Sequence, residues 1–328
     1  MIPRLAWRTT LLAAALCATA ATCGGDAMAD GGAFRTNGAD GIGARAFRHV
    51  ETLVGFGSRE TGSEGWRKAI EHMTTTLRGF GLEPVVDRWH VDAENLTFAN
   101  VIVTLPGRLP DRIVIGCHHD TKQTHGHDAP EHNFPFVGAN DSGSGVGLLL
   151  ELAGLLAEQK DREVTYELVF FDGEESRTWE WNHAQRALFG SRRYVRQQVA
   201  PPRQGPRPAP IRAFVLLDMV GATDLQIDDD DNSDPVLKHL VGAAAKALGH
   251  ERYFFAKRLA VADDHIPFVD AGIPAIDLID LANNPQWHTP DDTLEHMSPR
   301  SMQIVGEVVW AVLPAIERRF VPALRNAR

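Results

Sequence analysis

The sequence predicts an α/β fold in a single domain, with a mixed, mostly parallel β-sheet flanked by helices on both faces. Near-continuous apolar runs of strand length recur along the chain, and amphipathic helical patterns lie between several of them. Parallel strands are covered on both faces and therefore read as unbroken apolar runs. A chain of 328 residues, 44% of them hydrophobic, is long enough to build the core of such a domain.

The first residues predict export. Arg4 and Arg8 precede the apolar stretch LLAAALCATAA, and the small residues AMA follow. This order is typical of a secretory signal peptide, and the apolar stretch is too short to span a bilayer. We therefore assign residues 1–29 to a signal peptide, 30–43 to a glycine-rich flexible leader and 44–328 to the functional domain, and we expect a periplasmic or secreted protein.

The elements of the domain follow in a regular order. Helical patterns extend from Ala44 to Phe80 and are interrupted by the glycine-rich turn GFGSRETGSEG. Strand-like runs come next: VVDRWHV, FANVIVTL, RIVIGC, YELVFF, AFVLLDMV and IPAIDLI. Helical patterns alternate with them: GVGLLLELAGLLAEQ, SDPVLKHLVGAAAKALG and PRSMQIVGEVVWAVLPAIERRF. The Pro-rich segment 200–210 predicts a surface loop, and the run Asp228–Asp231 predicts a solvated loop.

Charge and cysteine content exclude several classes of function. The formal net charge is -10 and no basic cluster is present, so we expect no nucleic-acid partner. No stretch after the signal segment could anchor the protein in a membrane. Cys117 is the only cysteine after residue 29, which excludes an internal disulfide and a cysteine metal cluster. Any metal must use histidine and carboxylate ligands, which suit zinc with three protein ligands and an open position.

Ligand-type side chains stand where the predicted strands end. A single acidic residue after a strand is usually a helix cap or turn residue, and a single histidine near a core is usually structural. In an open α/β sheet, however, the carboxyl ends of the strands meet along one edge, where ligands bind. The whole set therefore predicts a zinc site: His118, His119, Asp120, Asp141, Asp172, Glu174, Glu175, Asp218, Asp263, Asp264 and His288.

The adjacent pair Glu174 and Glu175 predicts two separate roles. We expect Glu175 to bind the metal, whose charge offsets that of the carboxylate. Glu174 then remains free as a proton shuttle. Crowding by other carboxylates should raise its pKa towards neutrality, which suits a general acid/base.

Seven segments together resemble the zinc exopeptidase superfamily, which contains zinc aminopeptidases and animal-type glutaminyl cyclases. The resemblance covers the chain from about Gly55 onward, in the family's order: CHHDTK, FVGANDSGSG, VFFDGEES, LFGSR, LLDMVGA, DDHIPF and QWHTPDD. It implies a mixed, mostly parallel sheet flanked by helices, in agreement with the strand pattern. It also implies a zinc-dependent catalytic domain that acts on peptide or protein N-termini, and we expect a monomer.

Three features favour the cyclase branch. The doublet Asp263–Asp264, the Trp287 that precedes His288, and the segment LLDMVGA are all similar to the cyclase pattern. The resemblance then implies a glutaminyl-peptide cyclotransferase, which converts N-terminal Gln to pyroglutamate and releases ammonia. By position it implies these roles: Asp141, Glu175 and His288 bind one zinc, Glu174 is the general acid/base, Asp218 and Asp263 hydrogen-bond with Glu174, and Trp181 and Trp287 line the substrate pocket.

Other features favour the aminopeptidase branch. The segments GANDSGSGVG and HTPDDT resemble those of aminopeptidases. The resemblance would then imply two zinc ions, with His118 and Asp218 completing a second site and Asp141 bridging both.

Three positions depart from the cyclase pattern. Asn283 stands where the cyclase pattern has an aromatic residue. Val146 stands where that pattern has the cysteine that forms a disulfide with the cysteine at the Cys117 position. The loop RTWEWNHAQRAL is longer than usual, which leaves Trp179 as an alternative to Trp181. We choose Trp181, because it is closer than Trp179 to the segment LFGSR along the chain.

Overall fold

The computed structural model describes residues 41–181, 184–199 and 208–325. The predicted signal peptide and residues 30–40 of the predicted leader lie outside the described residues. So does most of the Pro-rich segment.

The start of the folded domain differs slightly from the predicted boundary at residue 44. Helix α1 begins at Ile42, and both Ile42 and Gly43 are buried. Gly43 has to be small at this position, because a Cβ atom would lie 2.1 Å from the carbonyl oxygen of Pro299. The last residues of the glycine-rich leader therefore belong to the packed domain.

A central six-stranded sheet confirms the predicted fold class. Its strands are β1 Val85–Val91, β2 Leu96–Leu105, β3 Leu109–His118, β4 Val164–Phe171, β5 Ile211–Asp218 and β8 Ala275–Ile279. Their order is β1-β2-β4-β3-β5-β8. The β1–β2 and β2–β4 pairs are antiparallel, whereas β4, β3, β5 and β8 run parallel. Four carboxyl ends therefore meet at one edge of the sheet.

Helices cover both faces of this sheet. They are α1 Ile42–Val54, α2 Glu64–Gly79, α3 Gly143–Glu158, α4 Phe189–Val199, α5 Pro235–Ala247, α6 Ile266–Asp270 and α7 Pro299–Phe320. The larger core joins one sheet face to α1, α2, α3, α5 and α7, and the smaller core joins the other face to α4 and α6. No helix in the described ranges has the length and apolarity needed to cross a bilayer.

The acidic run Asp228–Asp231 is not the solvated loop that its composition predicted. Strands β6 Ile227–Asp230 and β7 Phe254–Leu259 form a separate parallel pair. Asp228 and Asp230 are fully buried in it. The prediction was wrong because partners from distant segments take up the charges.

Each carboxylate of this run has its own partners. Asp228 accepts hydrogen bonds from the backbone N–H groups of Leu281 and Ala282, at 2.8 Å each, and Asp230 accepts one from Val261 at 2.9 Å. At the surface, Asp229 pairs with Lys238 at 2.6 Å and Asp231 pairs with Arg258. Burial of the run is thus tolerated, since buried carboxylates are stable where they are hydrogen-bonded or paired.

Candidate metal and catalytic site

The carboxyl-terminal edge of the parallel strands carries most of the predicted site residues. His118 is the last residue of β3, and Asp218 is the last residue of β5. Glu174 and Glu175 follow β4 after a short turn, and His288 lies in the loop after β8. Residues far apart in the sequence are brought together because these strands are neighbours in the sheet.

Asp141, Glu175 and His288 form a buried group whose ligand atoms all lie within 4.8 Å of one another. His288 Nε2 lies 3.4 Å from Asp141 Oδ2 and 3.2 Å from Glu175 Oε2. One imidazole and two carboxylates are a donor set that zinc accepts with an open coordination position. The structure thus brings together the three residues assigned to zinc.

A second buried group shares Asp141 with the first. His118, Asp141 and Asp218 also have ligand atoms within 4.8 Å of one another. His118 Nε2 lies 3.2 Å from Asp141 Oδ1 and 3.2 Å from Asp218 Oδ1. Asp141 therefore directs one oxygen towards each group, which is the arrangement of a bridging carboxylate in a two-metal site.

The Glu175 carboxylate fits a metal ligand. Both of its oxygens are buried, and neither accepts a hydrogen bond from any described residue. The Lys122 ammonium lies 3.6 Å from Oε2, beyond hydrogen-bond distance. Burying an ionised carboxylate that accepts no hydrogen bond is costly, even with cationic groups nearby. A divalent cation held by Glu175, Asp141 and His288 would supply the interaction that the missing hydrogen bonds leave open, so the residues present fit a zinc ion.

Two further carboxylates hold the backbone of the candidate ligands. Asp292 accepts hydrogen bonds from the N–H of Asp141, at 3.0 Å, and from the N–H of the residue before it, at 2.8 Å. Asp120 accepts from the N–H groups of Glu174 and Glu175, at 3.2 and 3.3 Å. Sequence reasoning missed both roles. The sequence offered one indication of these roles: Asp120 and Asp292 each lie within four residues of a candidate histidine ligand.

Close backbone packing and unusual backbone angles occur at the site. The glycine-rich start of α3 brings Asp141 close to the end of β5, because a Cβ atom on Gly145 would lie 2.5 Å from the carbonyl oxygen of Leu217. His288 and Met219 both adopt left-handed backbone angles, with φ of 52° and 45°. Such angles are unfavourable for residues other than glycine and cluster at functional sites.

Glu174 lies beside the metal ligands in a strongly acidic environment. It is buried, and its Oε2 is 4.0 Å from Nδ1 of His118. Burial, with an additional contribution from the negative charge of Asp263, raises the pKa of Glu174 well above its usual range. Burial and the charge of Asp218 in turn raise the pKa of Asp263 to about 7. A carboxyl group whose pKa is raised in this way holds a proton more readily than a free glutamate, which suits a general acid/base.

Among the described residues, neither Asp218 nor Asp263 forms the predicted hydrogen bond with Glu174. Asp218 lies instead 3.2 Å from His118, and burial is the main reason that its pKa is raised. Asp263 acts on Glu174 through its charge. Asp263 thus raises the proton affinity of Glu174 through its charge, and Asp218 raises that of Asp263.

A cavity of about 280 Å³ opens above these residues. Trp181, Met219, Leu281 and Trp287 contribute to its walls, together with Glu174, Asp218, Asp263 and the candidate ligands Asp141 and His288. The Trp287 ring stacks on His288 at 4.2 Å and is 37% exposed at the mouth. Trp179 instead stacks on His132 at 3.6 Å, so the two candidate tryptophans differ in their contacts.

Comparison with known proteins identifies the family to which the chain belongs. A family model described as peptidase family M28 matches residues 100–313. Because the match extends over more than half of the chain, the protein belongs to peptidase family M28. This confirms the resemblance to the zinc exopeptidases.

Individual relatives are more specific. The chain is 28% identical over 284 residues to a glutaminyl-peptide cyclotransferase-like protein of Bos taurus, covering 78% of this chain and 71% of that protein. It is similar to a crystal structure of glutaminyl cyclase from an Acidobacteriales bacterium, with a TM-score of 0.74, 32% identity, and coverage of 85% and 95% of the two chains. It is also similar to the structure of a leucine aminopeptidase precursor from Bacteroides thetaiotaomicron, with a TM-score of 0.72, 27% identity, and coverage of 83% and 96%.

Proposed function

We propose that the protein is a zinc-dependent glutaminyl-peptide cyclotransferase that converts N-terminal Gln of peptides or proteins to pyroglutamate and releases ammonia. The observation that carries the proposal is a small cavity that is lined by Trp181, Trp287 and Glu174 together with the candidate zinc ligands Asp141 and His288. Relatives named as glutaminyl cyclases support the same reaction.

The cavity walls would bind and orient the substrate. A Gln side chain that enters between Trp181 and Trp287 displaces water from the apolar surfaces of the two indole rings. Enclosure in a small cavity also holds the α-amine close to the γ-amide of the same residue. Holding two reacting groups in one geometry lowers the entropic part of the barrier.

Asp141, Glu175 and His288 would hold one zinc ion, which supplies Lewis-acid polarisation of the γ-carbonyl when bound. The α-ammonium group first gives up one proton to solvent. The neutral amine nitrogen then forms a bond to the carbonyl carbon of the γ-amide, and Glu174 accepts the second proton that this nitrogen loses. Glu174 passes that proton to the amide nitrogen as the bond between this nitrogen and the carbonyl carbon breaks, and ammonia leaves. The charge of Asp263 keeps the proton affinity of Glu174 high, and the charge of Asp218 does the same for Asp263.

A second candidate function is a metallo-aminopeptidase with two zinc ions. The group His118, Asp141 and Asp218 favours it, because these residues would complete a second metal site bridged by Asp141. The aminopeptidase precursor among the structural neighbours supports this alternative.

Paired assays with metal analysis distinguish the two candidates. The purified protein is incubated with a Gln-peptide and with a leucine anilide, and bound zinc is counted per chain. Ammonia release with one zinc per chain supports the cyclotransferase. Anilide cleavage with two zinc ions per chain overturns it in favour of the aminopeptidase.

We also propose that the protein is exported and monomeric. The order of charged, apolar and small residues in segment 1–29 supports export. The mass of the protein recovered from outside the cytoplasm should correspond to a chain that starts near residue 30. Sedimentation of that protein should give the mass of one chain.

A further inference from the structure

Lys122 is a buried cation close to the candidate site whose role the proposed reaction leaves open. Only 1% of its surface is exposed. Its Nζ donates hydrogen bonds to the carbonyl oxygens of Ser176, at 2.9 Å, and Thr178, at 3.1 Å. The same ammonium lies 3.6 Å from Oε2 of Glu175. A buried ammonium is costly without partners, and these three oxygens provide them.

The backbone that Lys122 contacts connects a candidate ligand to the cavity wall. Residues 176–181 begin directly after Glu175 and end at Trp181, and they form neither helix nor strand. Within this segment, the Thr178 hydroxyl donates to the carbonyl oxygen of Glu180 at 2.7 Å. A backbone bond from Arg177 to Arg186 links the segment to the chain that follows. Lys122 adds two bonds to it from the loop after β3.

Lys122 also contacts an aromatic ring of the segment, that of Trp179. Its Nζ lies 5.9 Å from the centre of the Trp179 ring, within the range of a cation–π interaction. That ring stacks on His132, whereas Trp181 lines the cavity. One ammonium therefore contacts the segment at Ser176, Thr178 and Trp179, all of which precede the wall residue.

We propose that Lys122 is a positioning residue that fixes segment 176–181 and thereby places Trp181 against the substrate. Four separate contacts of one side chain, all with this segment or its preceding ligand, carry the inference. It rests on the proposed function in one respect, since Trp181 is taken as a wall of the substrate pocket.

The test compares Lys122→Met with Lys238→Met. Lys238 is a matched control, because its Nζ bonds a carboxylate, Asp229, and a carbonyl, that of Asp230, away from the cavity. With zinc in excess, Lys122→Met should lower kcat/KM for a Gln-peptide by roughly 10- to 100-fold, mostly through a higher KM. Lys238→Met should leave KM unchanged. An unchanged KM in Lys122→Met overturns the proposal.

A double-mutant cycle with Trp181→Phe tests whether Lys122 acts through the wall. If it does, Lys122→Met adds little to KM once Trp181 is replaced. Equal effects of Lys122→Met in both backgrounds contradict the proposal, since independent sites are additive. If Lys122→Met does not fold, Lys122→Gln takes its place. Its shorter, uncharged amide should give a smaller rise in KM that also disappears with Trp181→Phe.

Hydrogen exchange provides a readout that does not require activity. Amides of residues 176–181 should exchange faster in Lys122→Met than in wild type, with other segments unchanged, because the loss is local. Unchanged protection, or a uniform loss over the whole chain, contradicts the positioning role. If wild type releases no ammonia, the proposed function fails, but the exchange result still decides whether Lys122 holds this segment.

Discussion

Two runs of adjacent carboxylates in this protein have opposite electrostatic surroundings. In the run Asp228–Asp231, each residue has hydrogen-bonding or ion-pair partners from the protein itself. In the pair that follows β4, the Glu175 oxygens accept no hydrogen bond from the described residues, and Glu174 faces additional negative charge. Both regions are acidic and largely buried, so acidity alone does not distinguish them.

The two regions differ in which groups neutralise the negative charge. A carboxylate that accepts backbone N–H groups contributes to the fold, because its desolvation is offset by those bonds. A buried carboxylate left without such bonds either takes up a proton or binds a cation. The predictions below change a member of each region, the metal, and Asp280, whose pKa is raised in part by the charge of Asp228.

The largest effect is expected from Glu174→Gln, which removes the proton carrier and keeps the shape of the side chain. We expect kcat for a Gln-peptide to fall by about 10²–10⁴-fold, with zinc content and unfolding midpoint retained. The matched control is Glu167→Gln, a buried glutamate on β4 that is partnered by Arg112 and Tyr194. It should lower stability and leave kcat nearly unchanged. Full activity in Glu174→Gln would remove its assigned role.

A second effect should appear in the pH dependence of stability. Burial, with a smaller contribution from Asp228, raises the pKa of Asp280 to about 7. The pKa is higher in the folded state than in the unfolded chain, so its ionisation destabilises the native state as pH rises from about 4 to about 7. Asp280→Asn should remove a penalty of up to about 4 kcal/mol at pH 8 and change little at pH 4. Urea unfolding at both values tests this, and parallel curves for wild type and variant would contradict it.

Metal removal should come next in size. Zinc at 100 times its dissociation constant stabilises a protein that binds it only when folded by about 2.7 kcal/mol. Chelation should therefore lower the free energy of unfolding of wild type by a similar amount. His288→Ala should show little response to the chelator. Identical urea midpoints for wild type with and without zinc would show that the acidic site does not bind the ion.

The smallest effect is expected in the partnered run. Asp230→Asn weakens the bonds to Val261 and Ser233, so the free energy of unfolding should fall by about 1–3 kcal/mol. The turnover number should be largely retained. Asp231→Asn serves as the control at the exposed end of the run and should change neither quantity. A large loss of turnover in Asp230→Asn, with stability intact, would mean that the run belongs to the reaction site.

The fold class and the edge that carries the site were predictable from local pattern. Continuous apolar runs such as YELVFF indicated buried parallel strands, and the ligand-type residues at their ends indicated a common edge. The run Asp228–Asp231 was not predictable in this way. Its partners at Val261, Leu281 and Ala282 come from segments at least 30 residues away, and no local pattern reports such pairing.

The tryptophan pair shows the same limit at shorter range. Trp179 and Trp181 are separated by one residue in the sequence, and spacing alone favoured Trp181 only weakly. The contact of Trp179 with His132 and of Trp181 with the cavity depends on a loop that follows β3. Lys122, which bonds the segment that carries both tryptophans, belongs to that loop.

By itself, the sequence determined the alternation of strands and helices, the residue types available to a metal, and the strand ends at which they stand. These properties are local, because each can be recognised from residues that are neighbours in the sequence. Only the tertiary structure decided which carboxylates receive backbone hydrogen bonds and which remain open. That distinction depends on groups that the fold brings within about 3 Å of one another from distant parts of the chain.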